Sequence, residues 1–415
     1  MWELIRANKR KSWLLFFAMG ICLLALGYGL GAAVDPMDGG WFGITIAALV
    51  WTVLSLVGFF SGDQILLAAS RAKEITRDIH PQLFNVVEEM KIAANLPAIP
   101  RIYIIDETAP NAFATGRKPE RSAVAITTGL LAKLNRDELQ GVVAHEISHI
   151  LNRDILFMTF AGILLGSIVL ISDMYLRGMR YSSGSSNRYR SGSSSRGTGQ
   201  AQALFFVVAL LLAILAPIAA QLLYLAISRR REYLADASGA RLTRYPEGLA
   251  SALEKIAASD AKLSVANAVT APMYIVNPLK GKSFNPASLM STHPPIEMRI
   301  QILRAMSQGV NYANYQKAYS AITGQSALII PPSCAQDVGE IAVRAGVSEP
   351  RRPSAKDEIR EMGDLTRAIN QFTFLSCPCG LKIKVPPDFK QSEVVCPKCW
   401  RTLEVPDLQT ASIRR

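Results

Sequence analysis

Two apolar runs near the start of the chain restrict what it can fold into more than any other feature. Residues 12–34 and 43–60 are almost entirely apolar, and each approaches the roughly 20 residues that a helix needs to cross a bilayer. Because a backbone in hydrocarbon must satisfy its own hydrogen bonds, both runs are predicted to be transmembrane helices. A cleaved signal peptide is the alternative for the first run, which ends in the small residues Gly31, Ala32 and Ala33, although a second run follows almost at once.

The charges around these runs predict their orientation. The first run follows Arg6, Lys9, Arg10 and Lys11, whereas the connecting segment DPMDGGW has two aspartates and no base. Since Lys and Arg are enriched on the cytoplasmic side of membranes, we expect the N-terminus and the chain beyond about residue 64 to be cytoplasmic. The formal net charge of +12 is then attributed to segments that face anionic lipid, and nucleic-acid binding is not expected.

Two further apolar runs, 155–171 and 203–227, are also predicted to be helices, the second with a kink at Pro217. Between them, residues 173–201 are rich in Ser, Gly and Arg, a composition that predicts a disordered loop. If both runs cross the bilayer, the arginines of this loop lie outside, against the positive-inside rule, so the sequence leaves open whether they cross. Whether both runs cross the bilayer or neither does, the chain before them lies on the same side of the membrane as the chain after them.

The heptapeptide VAHEISH contains two of the four histidines in the chain. The surrounding stretch LNRDELQGVVAHEISHILNRD is predicted to be a helix that begins after Asn135, with Glu138 as its capping-box partner. Because residues i and i+4 share one face of a helix, His145 and His149 can bind one metal ion, while Glu146 can reach a water on that ion without ligating it. The alternative is two partly buried histidines beside a solvated glutamate.

A catalytic zinc ion needs a third protein ligand and an open fourth position. The segment SRRREYLADASGA, just past the fourth apolar run, offers Glu232 as that ligand and Asp236 as a hydrogen-bond acceptor for one of the histidines. A cluster of charges beside the membrane is the alternative. In STHPPIEMRI, His293 can donate a hydrogen bond to a developing oxyanion, or can be an ordinary histidine of a surface turn. No role is assigned to His80.

These segments carry a family resemblance. HEISH with Asn152 and Asp154 after it, then SRRREYLAD, then STHPPIEMRI resembles the HtpX-type membrane metalloproteases, which are gluzincins related to the CAAX prenyl proteases. PNAFATG is similar to that family's segment ahead of the site, and the resemblance covers roughly residues 1–305. It implies misfolded or damaged membrane proteins as substrates. It also implies zinc ligands at His145, His149 and Glu232, a general base at Glu146, and supporting roles for Asp236 and His293.

The segment between the second apolar run and VAHEISH predicts a short sheet. RIYII and SAVAITT are rich in strand-forming residues and have turn residues between them. A sheet beside a metal-bearing helix offers an edge strand on which an extended peptide can pair. An ordinary structural hairpin is the alternative.

The last part of the chain predicts a small separate module. Cys377 and Cys379 are separated from Cys396 and Cys399 by 16 residues, and four thiolates close a tetrahedral zinc site with no open position. This second zinc ion is therefore predicted to be structural, with the module binding an adaptor protein. The C-x-C spacing of the first pair departs from the usual C-x-x-C of zinc sites. Two disulfide bonds are the alternative to a zinc ion. A short polar helix is predicted over 354–370.

Together these features predict a mainly α integral membrane protein with a zincin-like α+β metalloprotease domain and a small C-terminal zinc ribbon. The expected order is two transmembrane helices (1–63), the first part of the metalloprotease domain (64–154), the third and fourth apolar helices with their loop (155–227), the second part of the metalloprotease domain (228–326), a linker with a short helix (327–371) and the ribbon (372–405).

The predicted function is that of a zinc-dependent endopeptidase in membrane-protein quality control and the stress response. It is expected in the cell membrane, in bacteria the inner membrane, as a multi-pass protein that acts on protein or peptide substrates from the cytoplasmic side. A CAAX prenyl protease needs several more spans, and an intramembrane protease would have its motif inside a span. A non-enzymatic adaptor that binds through the ribbon would have no need of Glu146. Two zinc ions per chain are expected for the protease and one for the adaptor.

Overall fold

A computed structural model of the chain describes residues 2–182, 198–261, 263, 274–276, 293–306, 309–326, 328–330, 341–346 and 354–406. The helices are α1 Trp2–Val34, α2 Gly39–Ala69, α3 Pro81–Ala93, α4 Thr128–Lys133, α5 Arg136–Leu151, α6 Ile155–Ser182, α7 Thr198–Thr243, α8 Pro246–Ala257, α9 Ile296–Arg304, α10 Tyr312–Thr323 and α11 Ala355–Ile369. The strands are β1 Lys73–Glu74, β2 Arg101–Ile105, β3 Ala112–Lys118, β4 Arg121–Thr127, β5 Thr373–Ser376, β6 Lys382–Val385, β7 Glu393–Val395 and β8 Thr402–Glu404.

Helices α1, α2, α6 and α7 pack together as a bundle. Among the described residues, two stretches are long and apolar enough to cross a membrane, Ile5–Val34 in α1 and Gly39–Ala69 in α2. These two helices approach so closely that a Cβ atom at Gly31 would lie 1.9 Å from the carbonyl oxygen of Gly39. Many large apolar side chains point outward from the bundle, as expected for helices in lipid, among them Trp13, Phe17, Phe42, Leu49, Leu170, Leu211 and Leu215.

Helices α6 and α7 are longer than the sequence predicted. A disordered loop over 173–201 is wrong at both ends, because α6 continues to Ser182 and α7 begins at Thr198, while residues 183–197 lie outside the described part. An ion pair between Asp173 and Arg177 at 2.8 Å, one turn apart, supports the last turns of α6. Helix α7 includes Pro217 and continues from the bundle into the peptidase core, so one helix joins the two layers.

A four-stranded sheet with the order β1–β2–β4–β3 lies between the bundle and the peptidase core. The two predicted strands, RIYII in β2 and SAVAIT in β4, are parallel neighbours and do not form a hairpin with each other. Instead PNAFATG supplies β3, which pairs antiparallel with β4 and is one of the two edge strands of this sheet. Both faces of the sheet are buried, which explains its near-continuous apolar strands. The core side holds Ile102, Ile104, Val124 and Ile126, and the bundle side Tyr103, Ile105, Ala123 and Ala125.

Helix α5 runs through the centre of the peptidase core, with contacts to α3, α7, α8 and the sheet. Its predicted capping box is confirmed: the Asn135 side chain accepts the Glu138 N–H at 2.9 Å, and the Glu138 carboxylate accepts the Asn135 N–H at 2.8 Å. All residues from Asp137 to Ile150 are buried, so every side chain of the HEISH motif lies inside the protein. His80 has a structural role as the N-cap of α3, where its Nδ1 accepts the Leu83 N–H at 3.1 Å.

The C-terminal module consists of α11 and two hairpins, β5–β6 and β7–β8. The predicted helix over 354–370 is confirmed as α11, which begins with a capping box between Ser354 and Asp357. It packs on α4, and its residues Leu365 and Ile369 contact the core of the peptidase layer.

Candidate active site

The two metal-bearing helices cross at a glycine. At Gly239 of α7, a Cβ atom would lie 3.2 Å from the backbone nitrogen of His145 on α5, so a larger residue there would push the helices apart. This close crossing brings Glu232, two turns earlier in α7, beside both histidines of α5. The structure therefore places together three residues that the sequence predicted as metal ligands.

The spacing of their donor atoms fits one metal ion. The Nε2 atoms of His145 and His149 are 3.3 Å apart, and the two carboxylate oxygens of Glu232 lie 3.7 Å from His145 Nε2 and 3.4 Å from His149 Nε2. A tetrahedral ion with bonds of roughly 2.0–2.1 Å, as zinc forms with such donors, holds them about 3.3–3.4 Å apart. The three side chains are almost completely buried, so little competes with an ion for these donors.

His145 is oriented by Asp236, as the sequence predicted. Its Nδ1 lies 3.0 Å from an Asp236 oxygen, and Arg299 donates to both oxygens of the same carboxylate at 2.8 and 2.7 Å. Burial would raise the pKa of Asp236, but the guanidinium of Arg299 outweighs it and lowers that pKa. Burial also lowers the pKa of His145. A neutral ring that donates from Nδ1 to an ionised Asp236 directs the lone pair of Nε2 toward the metal position.

His149 has a carboxylate partner of its own. Its Nδ1 lies 3.4 Å from Asp154 Oδ2, and Arg231 Nε lies 3.6 Å from the other oxygen of that fully buried carboxylate. Burial would lower the pKa of His149, but its hydrogen bonds with Asp154 and Glu232 outweigh this and raise it to about 10. Sequence reasoning noted Asp154 only as part of the family resemblance and missed this contact.

Glu146 is buried against the edge strand, which excludes the solvated glutamate of the alternative. Only 2% of the residue is exposed, and its carboxylate accepts a hydrogen bond from the backbone N–H of Ala114 in β3. Burial is the main cause that raises the pKa of Glu146 to about 7. A carboxyl group with such a pKa can accept and return a proton near neutral pH.

His293 and Arg299 both contact the third ligand. His293 Nδ1 lies 3.1 Å and Arg299 Nη1 3.3 Å from the same Glu232 oxygen, and the pKa of Glu232 is well below its usual value despite burial. With 4% exposure, His293 is not a surface-turn histidine. Sequence reasoning missed Arg299, which is 1% exposed and joins Glu232 to Asp236. The sequence feature that could have identified Arg299 is its position on the helix that follows His293.

The edge of β3 is partly covered by a short segment of the chain. Ile275 donates its backbone N–H to the Ala112 carbonyl at 2.9 Å, and the Asn111 amide donates to the Val276 carbonyl at 2.8 Å. In an edge strand the backbone N–H and C=O groups of alternate residues point away from the neighbouring strand. Ala112 and Ala114 both present these groups at the open edge of β3, on the side away from β4. Residues 274–276 therefore limit where another strand can pair, while Ala114 stays next to Glu146.

The four cysteines of the C-terminal module form a second cluster. Cys377 Sγ lies 3.3 Å from Cys399 Sγ, Cys379 Sγ lies 3.7 Å from Cys396 Sγ, and all four lie within 4.8 Å of one another. A tetrahedral zinc ion with Zn–S bonds of about 2.3 Å separates sulfurs by roughly 3.8 Å. Each cysteine pair lies in a turn that ends in a left-handed residue: the Gly380 N–H donates to the Cys377 carbonyl and the Trp400 N–H to the Cys396 carbonyl, each at 2.9 Å.

Metallopeptidases of the HExxH class share this arrangement of two histidines on one helix, an acidic ligand from another helix and a buried glutamate beside them. The fold and the site together place the chain in that class, with its peptidase core attached to apolar helices suited to a membrane.

Comparison with known proteins identifies the family. Residues 78–307 match Peptidase family M48, and the chain belongs to it. It is 46% identical to a Protease HtpX homolog of Dictyoglomus thermophilum over 307 residues, 74% of this chain and 95% of that protein. Protease HtpX homologs of Streptococcus uberis and Listeria monocytogenes are 42% and 41% identical over 74% of this chain and 100% of their own lengths. The protein is thus a membrane metalloprotease of HtpX type that acts on proteins or peptides.

Among solved structures, Ste24p of S. mikatae matches with a TM-score of 0.36 and 22% identity over 73% of this chain and 67% of that chain. A likeness at this score is too distant to bear on the fold.

Proposed function

We propose that the protein is a zinc-dependent endopeptidase that hydrolyses misfolded or damaged membrane proteins at the cytoplasmic face of the membrane. The fit of the two imidazole nitrogens and the Glu232 carboxylate to one tetrahedral ion carries the proposal. Two imidazoles and one carboxylate form a ligand set found in catalytic zinc sites.

Bound zinc would supply Lewis acidity, which polarises the scissile carbonyl and lowers the pKa of an attacking water. Glu146 would take a proton from that water and pass it to the leaving amine. The backbone of Ala114 holds the Glu146 carboxylate beside the edge strand, so a substrate paired with β3 would lie next to the base. His293 is proposed to donate to the developing oxyanion, and its position against Glu232 supports a place at the metal centre.

The packing of α7 on α1 supports the proposed cytoplasmic position of the site. Arg231, just before Glu232, donates to Ser12 Oγ at 2.7 Å, so the metal centre lies at the end of the bundle where α1 begins. Basic residues surround this end, whereas Asp35 and Asp38 lie at the other, which supports a cytoplasmic site. We propose that α6 and α7 also cross the bilayer, because they pack alongside α1 and α2 and expose apolar side chains.

The cysteine cluster is proposed to hold a structural zinc ion. The two hairpins have little apolar core of their own, and a module of this size needs a cross-link such as a structural metal ion to hold them together. The match to the M48 family ends at residue 307, so this module is an addition to the peptidase. Binding of an adaptor protein is its proposed use.

The test is proteolysis of an unfolded protein by the detergent-purified full chain, with and without a chelator. The wild type should cleave only when zinc is present. Glu146→Gln should retain both zinc ions and lose cleavage, because a carboxamide cannot accept the proton. Glu120→Gln, at an exposed position in the β3–β4 turn, is the matched control and should cleave like the wild type. Wild-type rates in Glu146→Gln would refute the mechanism.

A further inference from the structure

The carboxylate that orients His149 is completed by the first membrane helix. Asp154 lies just beyond α5, after Asn152 and the left-handed residue Arg153, and its backbone N–H donates to the His149 carbonyl at 3.0 Å. This tight turn folds the carboxylate back onto the histidine of its own helix. One oxygen faces His149 Nδ1, and the other needs donors from elsewhere because the residue has no exposed surface.

One of those donors comes from α1. Asn8 Nδ2 lies 3.1 Å from Asp154 Oδ1 and 3.5 Å from the Asn152 carbonyl. Asn8 is 8% exposed although it lies within the first candidate span, between the exposed residues Lys9 and Arg10 on one side and Arg6 on the other. A buried amide among exposed bases is a specific placement, since an amide in an apolar helix is costly unless it is hydrogen-bonded.

Arg231 pairs electrostatically with the same oxygen and is itself held by α1. Its Nε lies 3.6 Å from Asp154 Oδ1, an ion-pair distance, and its Nη2 donates to Ser12 Oγ at 2.7 Å. Ser12 in turn donates to the Asn8 carbonyl at 2.7 Å, one turn earlier in the same helix. The network contacts the ligand His149 through Asp154, and Arg231 directly precedes the ligand Glu232 in α7.

We propose that Asn8 and Ser12 of α1, with Asp154 and Arg231, form a positioning network that fixes the ring of His149 for the metal ion. The inference rests on the proposed zinc site and adds to it. His145 is oriented by Asp236 and Arg299 from within the peptidase core, whereas His149 is oriented by Asp154 and the first turns of the membrane helix. The N-terminal segment is thereby part of the metal centre as well as a membrane anchor.

The test is metal affinity, measured with buffered Co²⁺ on the metal-free full chain in detergent. A site of two histidines and a carboxylate gives only weak visible bands, whereas four thiolates give intense charge-transfer bands, so the two sites are read separately. Loss of an outer partner of a ligand histidine typically weakens metal binding about 10–100-fold. We expect that range for Asp154→Asn, about tenfold for Asn8→Leu, and a smaller loss for Ser12→Ala. Gln64→Leu, an exposed amide of α2, should bind as the wild type does.

A double-mutant cycle separates positioning from general damage. Asn8→Leu added to Asp154→Asn should weaken cobalt binding little further, because the two residues act through one contact. In the metal-saturated enzyme the substrate KM should stay unchanged, since the network does not face the substrate. Unchanged cobalt binding in Asn8→Leu, or a second full loss in the double variant, would overturn the proposal. A wild-type chain with only the thiolate spectrum would instead refute the histidine site itself.

Discussion

Replacement of Arg344 tests whether the chain beyond the M48 match stabilises the metal-bearing helices. The Arg344 side chain donates to Asp137 at 2.5 Å and Gln140 at 2.7 Å near the start of α5, and to the Thr243 carbonyl at the end of α7 at 3.1 Å. Its backbone N–H donates to the Arg244 carbonyl at 2.9 Å. One residue of the added segment therefore ties together the ends of both helices that bear the metal ligands.

The size of the effect follows from burial. The Arg344 side chain is 26% exposed and its partner Asp137 only 7%, so solvent screens this pair weakly. Hydrogen bonds to charged groups contribute about 1.5–3 kcal/mol each when buried, and with a discount for partial exposure we expect Arg344→Ala to cost about 2–3 kcal/mol. At roughly 2–4 °C per kcal/mol for a unit of this size, the melting temperature should fall by about 4–12 °C.

Arg304→Ala is the matched control. Arg304 also pairs with two carboxylates, Glu247 at 3.0 Å and Glu254 at 2.8 Å, but its side chain is 42% exposed and theirs are 44% and 58% exposed. Exposed pairs contribute little, so its melting temperature should fall by at most about 3 °C. Both variants should be compared by thermal unfolding of the zinc-loaded protein in one detergent. Equal shifts for the two variants would show that Arg344 is an ordinary surface arginine and refute the reasoning.

Two further changes test the site and the C-terminal module. Gly239→Val should lower kcat/KM on the order of tenfold to a hundredfold, because the valine side chain must displace the His145 backbone. Gly178→Val, whose new Cβ would have nothing within 4 Å, is the control and should cleave normally. Equal activity of the two variants would contradict the close crossing of α5 and α7. Cys396→Ser should reduce the zinc content from two ions per chain to one while proteolysis of an unfolded substrate continues, and loss of both ions would show that the two sites are not independent.

The sequence was most informative where the chemistry is local. A single helix carries His145, Glu146 and His149, and both their shared face and the capping box at Asn135 follow from helical geometry alone. The strands could be recognised from their composition, but their pairing could not. That β2 and β4 are parallel depends on burial of both faces of the sheet, which becomes visible only once the bundle is in place.

The contacts that sequence reasoning missed join residues far apart in the chain. Arg299 binds Asp236 across 63 positions, Arg344 binds Asp137 across 207, and Asn8 binds Asp154 across 146. In each case a buried carboxylate near the metal helices receives a donor that has no local pattern to mark it. A buried charge must be paired, so an acidic residue predicted inside the core requires such a donor somewhere in the chain. The sequence can pose that requirement, but which arginine or asparagine meets it depends on how the helices cross.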